Sequence, residues 1–579
     1  MTRRLEWLLV LGCAWLSAFL LFIPSLSELG GTEQSLFMQL YEAFFHTAEP
    51  EMILGDGVDP TGSIWIVGFV EEVLFQGRPT VVKELYSPYG LDLGVHEGFA
   101  WLDTLFAIPL RWMIGTPGFY NWHVFNTLMF SFVGCYVLFK HVSKSVWPSL
   151  FLSHLLVVNE YVYQEISYGR PTQVNWLFGA LFVYGAIRMS EDRETWHWPI
   201  LTGVFFGAYC LTYWFGAVGL GFVVFCWLLR SFLGDKAIRS LLRNFAVSVG
   251  ALVLMVFPIC WRAIEPILQG RGSKSYSAFL ADPAKTLDIF GLSLPIYSTE
   301  VLLSWEDFLI FVNGRHYPLT LWMVSACLLV LSLRYRKGWV LLAWVVTILL
   351  PVGSALTINN TVYPTTYAFL EWIFPPLVRC NFPDRLMLSP LLVTNVLLIY
   401  VWSSSVQFSV DRWKKWMGGV VLLGLIANIA YVWSSHSPKV QTFQINRALV
   451  KTAKQDPGGF VEFPFDLGNN TYVQSEFHRQ PILTGPGMMM VQPPASKRYR
   501  LQNKVLQDLN TINTSGFNPS IKMDELSLLQ LEKDGFKHLI LYTDEIQQPV
   551  SQFERYLRTK GTAHPKYSVH IIPIPTVGK

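Results

Sequence analysis

The stretch "WPILTGVFFGAYCLTYWFGAVGLGFVVFCWLLR", residues 198–230, is an apolar run that no polar hairpin interrupts. A helix needs about 20 predominantly apolar residues to cross a bilayer. This run is therefore too long for one span unless the helix is strongly tilted. We predict two spans, about 198–212 and 214–230, with the chain turning at Thr212-Tyr213-Trp214.

The rest of the chain has the same apolar character. Hydrophobic residues make up 52% of the 579 residues and charged residues only 15%, whereas soluble domains carry about 25% charged residues. The repeated apolar runs predict an α-helical polytopic membrane protein with about 11 transmembrane helices. The predicted spans are about 7–25, 119–139, 145–159, 173–188, 198–212, 214–230, 244–262, 317–333, 338–352, 386–404 and 416–433.

Basic residues between these spans indicate how the chain is oriented. When the N-terminus is placed in the cytoplasm, every short basic loop falls on the cytoplasmic side, as the positive-inside rule requires. A single span over 198–230 would put the later basic clusters outside. The first apolar run is long and lacks a small-residue cleavage site, which favours an uncleaved helix over a signal peptide. The clusters are Arg3/Arg4, Lys140/Lys144, Arg188/Arg193, Arg230/Lys236/Arg239/Arg243, Arg334/Arg336/Lys337 and Arg412/Lys414/Lys415.

Most polar residues lie in a few long segments, which this orientation places outside the cytoplasm. In the last of them, compact apolar runs such as "GGFVEFPF" alternate with charged segments that have a helical pattern. This arrangement is typical of a small soluble α/β domain. We predict a transmembrane domain over 1–434, with a large first outer loop at about 26–118, and an extracytoplasmic α/β domain over 435–579. A multi-pass protein of a bacterial inner membrane fits this organisation, with its C-terminal domain periplasmic or extracellular.

Charge and motifs exclude several classes of function. The net charge of +3 is too small to suggest a nucleic-acid partner. The seven cysteines form neither a disulfide framework nor a metal-type spacing. The chain has no glycine-rich phosphate loop and no predicted cytoplasmic domain to bind a nucleotide. Soluble nucleotide-sugar enzymes are therefore excluded as a comparison.

Five stretches, taken in order, resemble the GT-C superfamily, integral-membrane glycosyltransferases that use lipid-phosphate-linked sugars. The likeness is to a bacterial branch and covers nearly the whole chain. It implies the GT-C fold and transfer of a sugar from a polyprenyl-phosphate donor to a glycan, lipid or protein acceptor at the outer face. The stretches are "GDGVDPTGSIW" (55–65), "LYSPYGLDLGVHEGFAWLDTLFAIPL" (85–110), "ISYGRPTQVNW" (166–176), "PPLVRCNFPDRL" (375–386) and "YVQSEFHRQPILTGP" (472–486).

The resemblance implies that an acid of the first outer loop is the base that takes the proton of the acceptor hydroxyl. Asp56 is the best match, because it is the acid after the first glycine of "GDGVDPTGSIW", and Asp59 is the second. The residues alone leave another interpretation open. Both aspartates could form Asx-type turns with the adjacent glycines and proline.

The departing phosphate needs cations, and arginine suits bidentate phosphate binding. The candidates are Arg170 in "SYGRP" and the pair Arg379 and Arg385, all at the outer ends of predicted spans. The alternative is that these juxtamembrane arginines only extend towards lipid headgroups, as such arginines commonly do in membrane proteins.

Two further groups of residues are candidates for substrate contact. His96 and Glu97 in the first loop could join Asp56 in holding a divalent cation, Mg²⁺ or Mn²⁺, or could simply pair with each other. In the tail, Gln474, His478 and Arg479 could contact acceptor sugar.

Two rival functions stay open. A transporter or flippase of lipid-linked glycans would place charged residues within its spans, whereas the ionisable residues here concentrate in loops on one face. A non-catalytic membrane scaffold, in contact only with membrane lipids, would tolerate the loss of Asp56.

Overall fold

The fold is described from a computed structural model, in which the described residues form two units. The first comprises Met1–Phe44, Gly98–Leu110 and Asn121–Val440, and the second comprises Phe45–Glu97, Arg111–Tyr120 and Gln441–Lys579. The residues described are 2–27, 51–55, 59–79, 81–92, 101–233, 238–268, 285–289, 292–296, 302–303, 318–352, 355–358, 361–373, 383–405, 428, 430, 440–465, 474–475, 477–485 and 494–576.

The first unit is mostly helical. Short strands, namely Lys285–Ile289, Leu292–Ile296, Leu302–Leu303, Ala355–Ile358 and Thr361–Pro364, form small separate sheets. Helix Trp101–Ile114 begins in this unit and ends in the second. The other helices are Arg3–Ser27, Phe119–Ser143, Val146–Val157, Glu160–Ser167, Leu177–Glu191, His197–Leu233, Ile238–Leu268, Leu319–Arg334, Gly338–Ile348, Thr366–Ile373 and Leu388–Ser405, with 3₁₀ turns at Pro171–Val174, Leu350–Val352 and Pro383–Met387.

The long apolar run of residues 198–230 is a helical hairpin. Within His197–Leu233 the backbone at Tyr213 leaves the helical region. A continuous helix rises about 1.5 Å per residue, which would separate residues 206 and 221 by about 22 Å. Instead, a Cβ placed on Gly221 would lie 2.6 Å from the ring of Phe206. The chain therefore folds back at Tyr213, and the turn predicted at Thr212-Tyr213-Trp214 is confirmed.

The predicted count of about 11 spans is not confirmed. Among the described residues, four helical stretches are long and apolar enough to cross a membrane by length and composition, one of them the hairpin that folds back at Tyr213, and several others are shorter. Val146–Val157, for example, has 12 residues, which gives about 18 Å against a hydrocarbon core of about 30 Å. The predicted span 416–433 lies outside the described residues except for Asn428 and Ala430. The four stretches are Phe119–Ser143, His197–Leu228, Leu242–Ile259 and Arg385–Ser404.

Helix Ile238–Leu268 shows why the first unit needs a bilayer. It exposes Leu254 by 79% and Phe257 by 52% on one side. Such a continuous apolar face is unfavourable in water and is the normal surface of a helix that contacts lipid. The chain is accordingly an integral membrane protein.

The second unit contains the predicted C-terminal α/β fold. Its four-stranded sheet runs in the order Gly459–Phe463, Phe536–Tyr542, Val569–Pro573, Thr562–His564, with the first pair parallel and the other two antiparallel. Apolar side chains of the sheet pack on the surrounding helices to form the core. The helices of this unit are Asp59–Phe75, Arg447–Gln455, Pro494–Gln502, Lys504–Ser515, Glu525–Lys533 and Val550–Leu557.

Part of the first outer loop belongs to this second unit. The backbone N–H of Ile482 donates to the carbonyl of Glu84 at 2.7 Å, and that of Ser87 donates to the carbonyl of Ile482 at 3.0 Å. The other edge of Ile482 forms a parallel bridge with Phe460 of the sheet. The loop assigned by sequence wholly to residues 1–434 is thus divided between two units, because its backbone finds hydrogen-bond partners on the tail.

Close helix packing in the first unit generates a test. A Cβ on Gly203 would lie 2.1 Å from the backbone oxygen of Ser248, whereas a Cβ on Gly250 would meet no atom within 4 Å. We expect Gly203→Ala to lower stability by about 1–3 kcal/mol, because the helices must separate. Gly250→Ala should leave stability unchanged or higher, since alanine favours helix.

Thermal unfolding of both variants in detergent checks this expectation. Equal midpoints for Gly203→Ala and Gly250→Ala would show that the two helices do not pack as described.

Candidate active site

The predicted acids of the first loop fall partly outside the described structure. Asp56, His96 and Glu97 lie there, as does Arg379. Asp59 is described and opens helix Asp59–Phe75, where a carboxylate is stabilised by the helix dipole. A helix start accounts for Asp59 without any catalytic role, while the assignment of Asp56 as base stays a prediction.

Arg170 is placed by a tight helix end. Helix Glu160–Ser167 terminates in a Schellman motif: the N–H of Gly169 donates to the carbonyl of Ile166 at 2.9 Å, and the N–H of Arg170 donates to that of Glu165 at 2.8 Å. Gly169 has φ +75°, which only glycine adopts without strain. Pro171 then starts a 3₁₀ turn. The sequence "YGRP" therefore fixes Arg170 directly after the glycine that ends the helix.

The Arg170 side chain lies between an acid and an aromatic ring. Its Nη1 is 3.8 Å from Oε2 of Glu165, and its guanidinium carbon is 5.0 Å from the centre of the Tyr168 ring. Glu165 is buried, but 29% of the Arg170 side chain is exposed. A cation held in this way can present N–H donors to an anion outside the protein.

The segment after Arg170 is held by buried polar groups. Asn175 Nδ2 donates to Oδ1 of Asp103 at 2.9 Å, and His123 Nε2 lies 3.0 Å from Oδ2 of the same carboxylate. Ser131 Oγ accepts from the N–H of Trp176 at 2.9 Å. Helices Trp101–Ile114 and Phe119–Ser143 thus fix residues 174–176, and the orientation of Arg170 depends on them.

Sequence reasoning missed the acids of helix Glu160–Ser167. Glu160 is 5% exposed and accepts from Thr320 Oγ1 at 3.4 Å, while Glu165 is 3% exposed. Buried acids in a membrane protein mark functional sites by default. The signal was present in "NEYVYQEISYGRP", where two glutamates follow an apolar run and precede the arginine.

Arg385 lies beside the tip of the helical hairpin. Its backbone oxygen accepts from Tyr213 Oη at 3.2 Å, and its guanidinium carbon is 6.0 Å from the centre of the Phe215 ring. Both the Pro171–Val174 turn and the Pro383–Met387 turn pack against His197–Leu233. The structure therefore brings the segments that carry Arg170 and Arg385 to the same hairpin.

The predicted tail residues have structural partners within the second unit. Gln474 Oε1 accepts from the N–H of Asn446 at 2.8 Å, and its Nε2 donates to the carbonyl of Gln444 at 3.0 Å. Arg479 Nη2 lies 2.5 Å from Oε1 of Glu72. These contacts fold the tail, and contact of Gln474 or Arg479 with acceptor stays a prediction.

His478 is buried beside Phe460, with ring centroids 4.7 Å apart, and its Nδ1 accepts from the N–H of Gln480 at 3.0 Å. Burial, assisted by the charge of Arg479, lowers the pKa of His478 to about 3. The imidazole is therefore neutral at pH 7 and cannot supply a positive charge to a substrate.

No metal centre is formed by the residues that the structure describes, among which no group of three or more His, Cys, Asp and Glu side chains is placed to hold an ion. The first-loop residues for which the sequence allows a cation, Asp56, His96 and Glu97, lie outside that part of the chain. The cation therefore stays a prediction.

The amide of Asn175 gives a test of this site. Asn175→Asp keeps the shape but turns a second acid towards Asp103, so it should destabilise more than Asn175→Ala, which costs about 1–3 kcal/mol through the lost donor. Thermal unfolding in detergent measures both, with the exposed Glu194→Ala of the same unit as control. A larger loss for alanine than for aspartate would mean that Asn175 only fills space.

The pKa of His478 generates a second test. The unfolded chain binds a proton at His478 near pH 6.5, whereas the folded chain does so only near pH 3. Stability from this group is therefore complete above pH 6.5 and falls with acidification, by about 2 kcal/mol at pH 5.

His478→Asn, which keeps an acceptor for Gln480, should weaken this loss. The measurement is amide hydrogen exchange in strand Gly459–Phe463, comparing variant with wild type at pH 7 and again at pH 5. A difference between the two proteins that is the same at both pH values would contradict the buried, neutral histidine. His564→Asn, at a partly exposed histidine, is the control.

Comparison with known proteins finds a likeness in fold. No protein-family model and no curated protein matches the sequence. Among solved structures, the chain is similar to the arabinofuranosyltransferase AftD from Mycobacteria, with a TM-score of 0.55, 12% identity, and coverage of 100% of this chain and 40% of that one. It is also similar to the oligosaccharyltransferase of Archaeoglobus fulgidus, with a TM-score of 0.50, 12% identity and coverage of 97% and 72%. By structure, the chain has the fold of the GT-C glycosyltransferases.

Proposed function

We propose that the chain is a membrane glycosyltransferase that moves a sugar from a polyprenyl-phosphate donor to an acceptor at the outer face of the membrane. The arrangement of Arg170 supports this proposal most directly: a tight turn holds a partly exposed arginine side chain beside a buried acid. The fold is also that of proteins named as an arabinofuranosyltransferase and an oligosaccharyltransferase. The membrane is a bacterial inner membrane, with the N-terminus in the cytoplasm and residues 435–579 outside.

The reaction is a displacement at the anomeric carbon. The acceptor oxygen attacks that carbon, its proton passes to a carboxylate, and the bond from carbon to the phosphate oxygen breaks with its electron pair left on the phosphate. Because a phosphate leaves readily, the enzyme needs a base for the acceptor and cations for the developing negative charge.

Asp56 is the base in this proposal, with Asp59 second. Its place in the sequence "GDGVDPTGSIW" of the first outer loop supports the assignment. Asp59 is the weaker candidate because it already opens a helix.

Arg170 binds the departing phosphate, joined by Arg385 and Arg379. Glu165 is a positioning residue, because it lies 3.8 Å from Nη1 of Arg170 and is itself buried. The contacts of Asp103 with His123 and Asn175 hold the end of the turn that follows Arg170. A glycan, lipid or protein hydroxyl is the acceptor, and Gln474 and Arg479 of the tail contact it. Should the reaction need Mg²⁺ or Mn²⁺, the carboxylates Asp56 and Glu97, with His96, supply its oxygen and nitrogen ligands.

The chain offers a matched pair of arginines for the test. Arg188 Nη1 lies 3.7 Å from Glu191, and its guanidinium carbon is 4.7 Å from the centre of the Trp198 ring, much like Arg170 with Glu165 and Tyr168. Arg188 lies at the predicted cytoplasmic end of its helix. Arg170→Ala should lower sugar transfer by about 10²-fold, as loss of a charge-stabilising donor does, and Arg188→Ala should not.

The assay uses purified protein in proteoliposomes with a panel of radiolabelled polyprenyl-phosphate sugars and envelope glycans or lipids as acceptors. Asp56→Asn should abolish transfer while donor binding persists, whereas Asp59→Asn, at the second candidate for the base, should retain transfer. Loss of transfer in Asp59→Asn alone would assign the base to Asp59. Full transfer by Asp56→Asn would remove the base assignment. Equal losses in Arg170→Ala and Arg188→Ala would remove the phosphate assignment.

One observation favours a second candidate function. Glu160, Glu165 and Asp103 are all buried in the helical unit, and buried ionisable groups in membrane proteins often mark a substrate or ion path. A flippase of lipid-linked glycans would move the labelled lipid between leaflets in the same proteoliposomes without transferring its sugar. That result would replace the enzyme proposal.

A further inference from the structure

A basic groove lies on the second unit. It has a volume of about 720 Å³ and is bordered by helix Arg447–Gln455 and by Phe477. Ile445, Val450 and Phe477 form its apolar part. The cations that line it are Arg447, Lys451 and Lys454.

Helical spacing explains why the cations share one face. Residues 447, 451 and 454 are separated by four and three positions, which places them on one side of a helix. Ala448, Leu449 and Ala453 on the opposite side are buried. The helix is thus attached through its small apolar side chains and presents its three cations outwards.

The start of this helix is fixed in place. Asn446 caps it, accepting from the N–H of Ala448 at 3.1 Å and that of Leu449 at 3.2 Å. Gln474 in turn accepts from the N–H of Asn446. Phe477 lies three residues after Gln474 and packs near Phe443, with ring centroids 6.1 Å apart. The groove is therefore preformed.

Some lysines of this unit are paired with acids, whereas, among the described residues, the two lysines of the groove are not. Lys537 pairs with Asp456 at 2.7 Å, and Lys504 pairs with Asp508 at 2.6 Å. Within the described ranges, Lys451 and Lys454 are exposed and have no carboxylate within salt-bridge distance, and no acid lines the groove. The charges of Lys451 and Lys454 are left for a partner to balance.

We infer that this groove docks on the anionic headgroup layer of a lipid bilayer. The surface that complements Lys451 and Lys454 beside an apolar strip is one that is negatively charged at its face and apolar beneath. Lipid headgroups over acyl chains offer this combination. A soluble polyanion would match Lys451 and Lys454 but would leave Ile445, Val450 and Phe477 in contact with water.

The bilayer is always near, because the same chain is an integral membrane protein. Tethering converts docking into an intramolecular step, so a weak surface is sufficient. The second unit would thereby be restrained by lipid composition and salt, a property independent of sugar transfer.

The test follows lysine reactivity in the full chain. The protein is placed in nanodiscs of phosphatidylcholine alone, or of phosphatidylcholine with phosphatidylglycerol, and the acetylation rate of each lysine is measured by mass spectrometry. We expect Lys451 and Lys454 to react about fivefold more slowly in the anionic discs, and high salt should restore their rates. The exposed Lys522 of the same unit should react equally in both.

A variant sharpens the result. Lys451→Gln removes one charge and leaves Lys454 as reporter, whose protection by anionic lipid should then fall, whereas Lys522→Gln should not change it. Equal rates in the two kinds of disc, or equal slowing in both, would overturn the inference. Slowing by soluble polyphosphate in neutral discs to the same extent as by phosphatidylglycerol would also overturn it, because charge alone would then be recognised.

Discussion

The carboxylate of Asp103 is the constraint on which the candidate site depends. It is 3% exposed in an apolar helical unit, where an unpaired charge would cost several kcal/mol. Two donors compensate it, His123 from one helix and Asn175 from the segment that follows Arg170. Satisfying one buried acid therefore ties a helix of the first loop to the turn that carries the arginine.

Burial of the neighbouring carboxylate also distinguishes Arg170 from Arg188, the two arginines that each lie beside an acid and an aromatic ring. Arg170 and Arg188 have nearly equal local surroundings, an acid at under 4 Å and an aromatic ring. Glu165 is 4% exposed in its side chain, whereas Glu191 is 48% exposed. A buried carboxylate holds its cation more firmly than a solvated one, because water screens the second pair. Arg170 is therefore the better preorganised of the two for an anion.

Sequence reasoning succeeded where one local property decides the structure. The turn at Tyr213 followed from the length of an apolar run, and the α/β tail followed from its alternating pattern. It failed where partners are distant in the chain. The pairing of residues 84–87 with Ile482 and the burial of Glu160 depend on contacts across hundreds of positions. The count of about 11 spans is not confirmed, because several helices among the described residues are shorter than a bilayer core.

The site itself was predicted in part, and the tail shows where the limit lies. Arg170 was named from "SYGRP", and its rigid placement follows from the glycine and proline on either side. Gln474 and Arg479 were named as polar residues of the stretch "YVQSEFHRQPILTGP", yet polarity cannot separate a residue that binds substrate from one that folds the chain. Gln474 holds the start of helix Arg447–Gln455, and Arg479 pairs with Glu72. Gln474 and Arg479 already have hydrogen-bond and ion-pair partners within the protein. An acceptor that contacts them must therefore compete with these partners or bind to the N–H donors that remain.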